Sequence, residues 1–382
     1  MSEKVKVLYF VDRLLRGGIQ TFVYENIKHM DRNKVQIDFL LLDDGNKYEM
    51  EDDLKELGCN IYKLKGMWIN KVTDFFKYGK MLDDFFSKNN DYKVVHLHSS
   101  SKNYLVLKYA KKYNIKVRIA HSHNIDFQTK NVLKKIMGDF LKIPLRRYAT
   151  DYFACSEIAG EWLFGKKIVK SDKFKVVHNA VDLEKFKFNN EIREKIRKEL
   201  NVDSDTLLIG HVGRFTQQKN HDFLIDIFNE IHERNQNTKL LLIGTGIKEK
   251  DIKEKVKNLN LQDSVIFEGF KNNVNEYMFA MDIFLFPSKF EGLGLVLIEA
   301  QATGLPCYTS KDVVPNEAKV SNLLEYISLK NSAKEWSQYI INNRNKRLNE
   351  YKKIKNGGYD IEDTAKLLQC FYLESGEIND RK

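Results

Sequence analysis

Two carboxylates, Glu291 and Glu299, enclose seven residues in the run Glu291-Gly-Leu-Gly-Leu-Val-Leu-Ile-Glu299. Gly292 and Gly294 open the way into a helix, so its first amides can face an anion with an acid on either side. A carboxylate accepts paired hydrogen bonds from a vicinal diol, which suits a sugar attached to a phosphate. Glu299 follows Leu295, Val296, Leu297 and Ile298, and a charge beside them is costly without a partner. A second constellation, Gly213-Arg214-Phe215 with Lys219-Asn220, spans a strand-to-helix turn. Arg offers a planar fork and Lys a mobile point charge, and the two can face one diphosphate. The competing reading, two surface cations of a basic protein, is weakened by their place at a strand end.

Gly17-Gly18 stands between a strand and a helix, where backbone amides can approach an anion, although an ordinary loop explains it equally. Neither GxGxxG nor GxxxxGK[ST] is present there, which argues against a nicotinamide fingerprint and a P-loop. Four histidines, His96, His98, His121 and His123, end two strands. They suggest a metal site, but only Asp126 accompanies them as a possible acidic ligand, so a dedicated metal centre is not expected. Hydrogen bonds to sugar hydroxyls or phosphate are one alternative. Core histidines satisfied by backbone, for at least two of the four, are the other.

The elements that must carry these residues follow from periodicity. Short apolar runs at 5–11, 35–42, 94–98, 117–120 and 152–155 read as strands, separated by helical stretches near 21–30, 52–58, 104–113 and 157–164. The pattern restarts after 176–179, with strands at 207–212, 239–243, 265–267 and 283–286. Helices are expected at 191–200, 222–234 and 293–303, and a last one at about 361–373. Buried strands alternating with helices imply parallel sheets, and ligands then sit beyond the strands' carboxyl ends. The fold expected is α/β with two Rossmann-like doubly wound domains facing across a cleft. Residues 1–183 form the first domain and 184–359 the second, with a C-terminal helix, about 360–382, packing back on the first.

The 382 residues carry 63 Lys and Arg against 53 Asp and Glu, a net charge of +10. That length suits two domains, since single cores stop growing near about 250–300 residues. The four cysteines form no CxxC pair, which excludes a zinc ribbon and fits a reducing compartment. No apolar run approaches the ~18 residues of a membrane span, and Met1–Val11 is too short for a signal-peptide core.

In their order along the chain, these motifs resemble retaining GT-B glycosyltransferases of family 4. The likeness rests on the Gly17-Gly18 loop, Arg214 and Lys219, Leu241–Gly246 (LLIGTG), the two glutamates, and Val176–Asp182 (VVHNAVD), which resembles the segment joining the family's domains. It implies sugar transfer from a nucleotide-diphosphate sugar, a UDP-sugar being expected, to a glycan or polyprenyl-diphosphate-linked acceptor in capsular or exopolysaccharide synthesis. It also implies retained anomeric configuration and no metal or other cofactor. Glu291 would hold the transferred sugar, Glu299 the ribose, and Arg214 and Lys219 the diphosphate. The amides of Gly294 and Leu295, and Gly18, would assist. The loop from Phe270 to Val274 would hold the base, while Gly17, Gly244, Gly292 and Leu293 complete the expected donor site. A histidine belongs near the reacting centre, and both His121 and His123 fit.

Residues 106–147 hold eleven Lys and Arg (Lys108, Lys111, Lys112, Lys116, Arg118, Lys130, Lys134, Lys135, Lys142, Arg146 and Arg147) against Asp126 and Asp139. Interleaved with Val132, Leu133, Ile136, Met137, Phe140, Leu141 and Ile143, they form a basic amphipathic stretch. It suits either an anionic membrane surface or a solvated helix with its apolar side in the core. A cytoplasmic protein, peripheral on the inner face of the plasma membrane, is the expectation. A nonhydrolysing nucleotide-sugar epimerase shares the two-lobed architecture, but the EGLGLVLIE pattern favours transfer. A nucleic-acid-binding protein is suggested by charge alone, and no helix-turn-helix, zinc finger or RNP-like signature supports it. A catalytically dead partner subunit is disfavoured by the intact Arg214, Lys219, Glu291 and Glu299.

Overall fold

The computed structural model describes residues 4–15, 17–65, 72–99, 101–124, 131–311 and 313–380. The chain forms two compact units, Met1–Ala180 with Ile361–Lys382, and Val181–Asp360. The sequence boundary at 183/184 thus stands three residues beyond the structural one.

The first unit holds a seven-stranded sheet built from β1 (Val5–Val11), β2 (Val35–Asp43), β3 (Ile61–Lys65), β4 (Val94–Leu97), β5 (Val117–Ser122), β6 (Asp151–Ala154) and β7 (Phe174–Val176). Its order is β3-β2-β1-β4-β5-β6-β7, and every pairing is parallel. The second unit holds β8 (Leu207–Val212), β9 (Thr238–Ile243), β10 (Val265–Gly269), β11 (Ile283–Phe286), β12 (Cys307–Ser310) and β13 (Leu324–Ile327), in the order β10-β9-β8-β11-β12-β13. Both are doubly wound Rossmann-like sheets. The order reverses between β1 and β4 in one and between β8 and β11 in the other, which opens a crevice beyond the carboxyl ends of those strands. Residues just after β1, β4, β8 and β11 are therefore the ones the topology gathers.

Central strands are buried on both faces because helices cover each side, as the run from Val7 to Val11 illustrates. The helix Ile361–Asp380 belongs to the first unit, where Ala365, Leu368 and Tyr372 join the cluster of Val7, Tyr9 and Phe39. A polar anchor accompanies that packing. Tyr372 Oη shares a 2.7 Å hydrogen bond with Tyr9 Oη and another of 2.7 Å with His96 Nδ1, all three groups being buried.

Leu368 is fully buried, so Leu368→Ala should destabilise the first unit by about 2–5 kcal/mol through lost burial and a residual cavity. Denaturant unfolding followed by tryptophan fluorescence and circular dichroism should show an earlier first transition.

Candidate active site

In the second unit, the loop after β8 and the loop after β11 are tied to one another. Asn220 Nδ2 donates to Pro287 O (3.0 Å), Gln218 Nε2 to Phe290 O (2.9 Å), and the Lys289 amide to Gln218 O (2.8 Å). The result brings Lys219 Nζ to 2.7 Å from Glu291 Oε1, which also accepts from Ser288 Oγ at 2.6 Å. Only 7% of the Glu291 side chain and 18% of the Lys219 side chain are exposed. The Lys219 ammonium also stands 4.5 Å from the centre of the Phe286 ring, a cation–π contact. Ser288, Gln218 and Phe286 carry no motif of their own, whereas Asn220 belongs to the Lys219-Asn220 pair. Their signal in sequence is position, immediately after or at the end of the two switch-point strands or in the adjoining turn.

Gly294 is left-handed (φ +77°) and caps the helix Leu295–Ala302, and Gly292 is exposed with open space beside it. Leu293, Leu295 and Glu299 are half-buried around it. Arg214 is exposed and has no ion-pair partner among the described residues, so the second cation of the pattern is a free guanidinium. Gly244 (φ +136°) follows β9, and a Cβ there would lie 2.1 Å from Gly213 O. Only glycine lets the Gly244–Gly246 turn lie against the segment that carries Arg214. Phe270 is exposed and Val274, the first residue of a helix, is half-buried.

Beneath Lys219 lie two neutral imidazoles. His211 Nδ1 donates to Leu285 O (2.8 Å), and His221 stacks on Phe215 with ring centres 4.2 Å apart. Burial pushes the pKa of both down, that of His221 to about 4, with the nearby Lys219 charge contributing.

In the first unit, Gly17 precedes the helix Gly18–Lys28, and a side chain at Gly18 would meet open space. Asp12, just after β1, accepts from Ser99 Oγ and Asn103 Nδ2, each at 2.6 Å, and lies 3.4 Å from Lys102 Nζ. This polar cluster at the β1/β4 switch was not apparent in the sequence, where its members are about ninety residues apart.

The four histidines form a two-by-two array. His96 Nε2 lies 3.1 Å from His121 Nδ1, and His98 Nδ1 lies 3.0 Å from His123 Nε2. The rings of His96 and His98, and of His121 and His123, stack at 4.0 Å. The expectation of backbone partners is corrected here: these imidazoles bond to one another and to Tyr372, while His98 Nε2 and His121 Nε2 are buried with no hydrogen-bond partner among the described residues. His96, His98 and His121 are almost fully buried, whereas His123 is partly exposed. The ring nitrogens of His96, His98 and His121 come within 4.8 Å of one another, close enough to gather a cation, although two of them already bond to each other. Asp126 lies outside the described residues. Burial, with neighbouring imidazoles adding to it, pushes His96, His98 and His121 well below their usual pKa, and burial brings His123 to about 3.

The basic stretch is resolved into two populations. Val132–Tyr148 is one helix, and Val132, Leu133, Ile136, Met137, Phe140 and Ile143 are all exposed on it, not in the core. Lys134, Lys135 and Arg147 are exposed with them. Lys142 turns inward instead, donating to Trp162 O (2.7 Å), and Arg118 is buried with its guanidinium on Tyr148 O (2.8 Å). Arg146 donates to Leu163 O (3.1 Å). Those three cations are occupied by carbonyls, and Lys130 lies outside the described residues. Among the described residues, no helix is long and apolar enough to cross a membrane.

Two doubly wound parallel sheets, the second with a buried Lys–Glu pair at its switch point, place the chain in the GT-B class of glycosyltransferases. A family profile described as Glycosyltransferase Family 4 matches residues 16–185, and one described as Glycosyl transferases group 1 matches residues 192–360. The chain is 30% identical over 385 residues to a Bacillus subtilis (strain 168) protein named as the glycosyltransferase EpsF, covering 98% of each. It is 26% identical over 332 residues to an Escherichia coli UDP-Gal:alpha-D-GlcNAc-diphosphoundecaprenol alpha-1,3-galactosyltransferase, covering 84% of this chain and 82% of that one. Anabaena Alr3699/HepE, crystallised with UDP and glucose, superposes with a TM-score of 0.68 at 18% identity over 99% of this chain and 98% of its own. The chain belongs to the family 4 glycosyltransferases and is an enzyme of that kind.

Acidification should expose the cost of the neutral histidines. An unfolded histidine titrates near pKa ~6.5, so below that pH the unfolded chain binds protons that the folded chain refuses. Stability should be level above about pH 7.5 and fall below pH ~6.5, each buried imidazole adding up to about 1.4 kcal/mol per pH unit until its own depressed pKa is reached. Melting temperatures between pH 8 and 5, a window above the carboxylates, should trace this fall, and His221→Phe should reduce its slope. A flat profile would show that these rings are already solvated.

Proposed function

We propose that this enzyme transfers a sugar, with retention of anomeric configuration, from a UDP-sugar to a glycan or polyprenyl-diphosphate-linked acceptor in cell-surface polysaccharide synthesis. The observation that carries the reading is the Lys219–Glu291 pair at the β8/β11 switch, beside the open amides of Gly294 and Leu295. Support for the donor comes from the UDP held by the Anabaena neighbour, and for the acceptor from the lipid-diphosphate substrate in the name of the Escherichia coli relative.

In this reading Lys219 and Arg214 face the diphosphate, and the helix amides lie along its oxygens. Negative charge grows on the leaving phosphate as the sugar's C1–O bond breaks. A fixed ammonium and aligned amides stabilise that charge more than they stabilise the ground state. Glu291 Oε1 is held by Lys219 and Ser288, which orients the carboxylate toward sugar hydroxyls. Glu299 takes the ribose diol, and the Phe270–Val274 segment takes the base. The acceptor oxygen bonds to C1 on the face the phosphate leaves, and its proton passes to the departing phosphate oxygen. No protein carboxylate serves as acid or base, unlike the pair used by most glycosidases.

His123 is assigned to the reacting centre in preference to His121, because it is the partly exposed member of the array. The helix Val132–Tyr148, with apolar and cationic side chains exposed together, attaches this lobe to an anionic membrane surface from the cytoplasmic side, where a lipid-linked acceptor resides.

Glu291→Ala and Lys219→Ala should each lower turnover at least ~100-fold, the loss of about 2.7 kcal/mol of transition-state stabilisation, with melts confirming folding. Near-normal turnover in both would overturn the site. His123→Ala should lower kcat with a modest change in melting temperature, whereas His121→Ala should act mainly on the melt. Leu133→Ser with Phe140→Ser should weaken co-sedimentation with phosphatidylglycerol vesicles at least ~10-fold without shifting the melt, since both side chains are exposed. Unchanged vesicle binding would remove the membrane assignment.

A further inference from the structure

A cavity of about 600 Å³ lies at the amino ends of β11 and β12, the opposite end of the second sheet from Glu291. Its walls carry five cations, Lys187, Arg193, Arg344, Lys346 and Arg347, against one carboxylate, Asp282.

Two of these cations are built into the fold. Arg193 donates to Phe279 O (3.0 Å) and Ala280 O (2.9 Å) and pairs with Asp282 at 2.6 Å. Arg347 donates to Met281 O (2.8 Å) and to Thr303 O. Both guanidiniums thereby cover the carbonyl ends of the helices Val274–Ala280 and Leu295–Ala302, where positive charge is favoured. Their charges are not fully matched. Asp282 is shared between Arg193 and the buried Arg197, the latter at 3.2 Å. Arg347 is left beside Arg193, and burial together with that like charge pushes its pKa down to about 10.

The other cations have no such structural task. Arg344 and Lys346 are exposed and have no ion-pair partner among the described residues, and Lys187 meets Glu184 only at 3.9 Å. The segment that carries them has no regular secondary structure but is pinned at each end. Tyr308 Oη donates to Asn343 O (2.8 Å), and the Leu348 amide to Gly304 O (3.0 Å). Arg347 also stacks on Phe188, with its guanidinium carbon 4.3 Å from the ring centre. The backbone of the cationic wall and its Arg347 side chain are therefore held in place before any ligand arrives, which lowers the ordering cost of binding.

We propose that this cavity binds a phosphate-bearing anion at a site separate from the one formed by Lys219 and Glu291. Phosphoryl oxygens match guanidinium forks and ammonium groups, and an anionic phosphate would offset part of the surplus that Asp282 leaves. A lipid headgroup and a soluble phosphorylated compound share this chemistry. Isothermal titration of the full chain separates them, using inorganic pyrophosphate in one arm and monomeric dihexanoyl-phosphatidylglycerol in the other. The chains compared are the parent, Arg344→Gln/Lys346→Gln, and Lys219→Gln. The double variant should melt as the parent does and bind the preferred probe at least ~10-fold more weakly. Lys219→Gln should keep this binding, which makes the result independent of the donor-site reading. Tighter binding of pyrophosphate assigns the cavity to a soluble anion, and tighter binding of the lipid assigns it to a headgroup. Equal binding by the parent and the double variant, or no binding of either probe by Lys219→Gln, would overturn the proposal.

Discussion

A largely desolvated ammonium–carboxylate contact has to be held at the mouth of a parallel sheet, and much of the second unit follows from that requirement. Taking both charges out of water is costly, so Lys219 and Glu291 persist there only with good geometry and further partners. Ser288, the Phe286 ring and the cross-links between the two loops supply these. The strand order supplies the rest. Because β8 and β11 are neighbours at the point where the strand order reverses, the loops that follow them meet beyond the carboxyl ends of the sheet. A glycine at 244 lets the next turn press against the same loop from the side. Two residues 72 positions apart in the chain thus come to share one proton-rich contact.

The first unit answers the same topological problem with different chemistry. Its switch point gathers Asp12, Ser99 and Asn103, an uncharged-to-acidic cluster suited to hydroxyl groups, with four neutral imidazoles packed behind it. The rings stack at 4.0 Å and each bonds to another ring or to a phenol through one nitrogen, although His98 Nε2 and His121 Nε2 are left without a partner among the described residues. One lobe of the enzyme is therefore cationic at its strand ends and the other polar, a division that follows from which side chains succeed each strand.

Much of this was legible in the residues. The strands 207–212 and 283–286 and the helix 157–164 coincide with the structure, since LLIGHV and IFLF are apolar stretches ended by Gly213 and Pro287 and the helix opens behind the Ser156 cap. The edge strand Ile61–Lys65 was missed because IYKLK alternates lysine with apolar residues, and β12 (CYTS) and β13 (LEYI) mix polar with apolar residues, unlike the equally short β11 (IFLF). At the site, Glu291 and Lys219 could be singled out by type and spacing, but not their direct pairing, which needs the third dimension. The basic stretch shows the same limit. Its charges and apolar residues could be counted, yet only the fold decides that Lys142 and Arg118 turn inward while Leu133 and Phe140 remain outside.

The chain returns to its first unit for its final helix, and this has a consequence for biosynthesis. Val7 and Tyr9 emerge from the ribosome before the second unit, and the Leu368 and Tyr372 side chains that cover them emerge after it. The second unit is complete at Asp360, before the first unit's closing helix begins at Ile361, so it can reach its native packing while the first still exposes an unsealed apolar face. The nascent protein must keep that face from aggregating until the helix Ile361–Asp380 has emerged to cover it, a vulnerability set by chain order rather than by the strength of any contact.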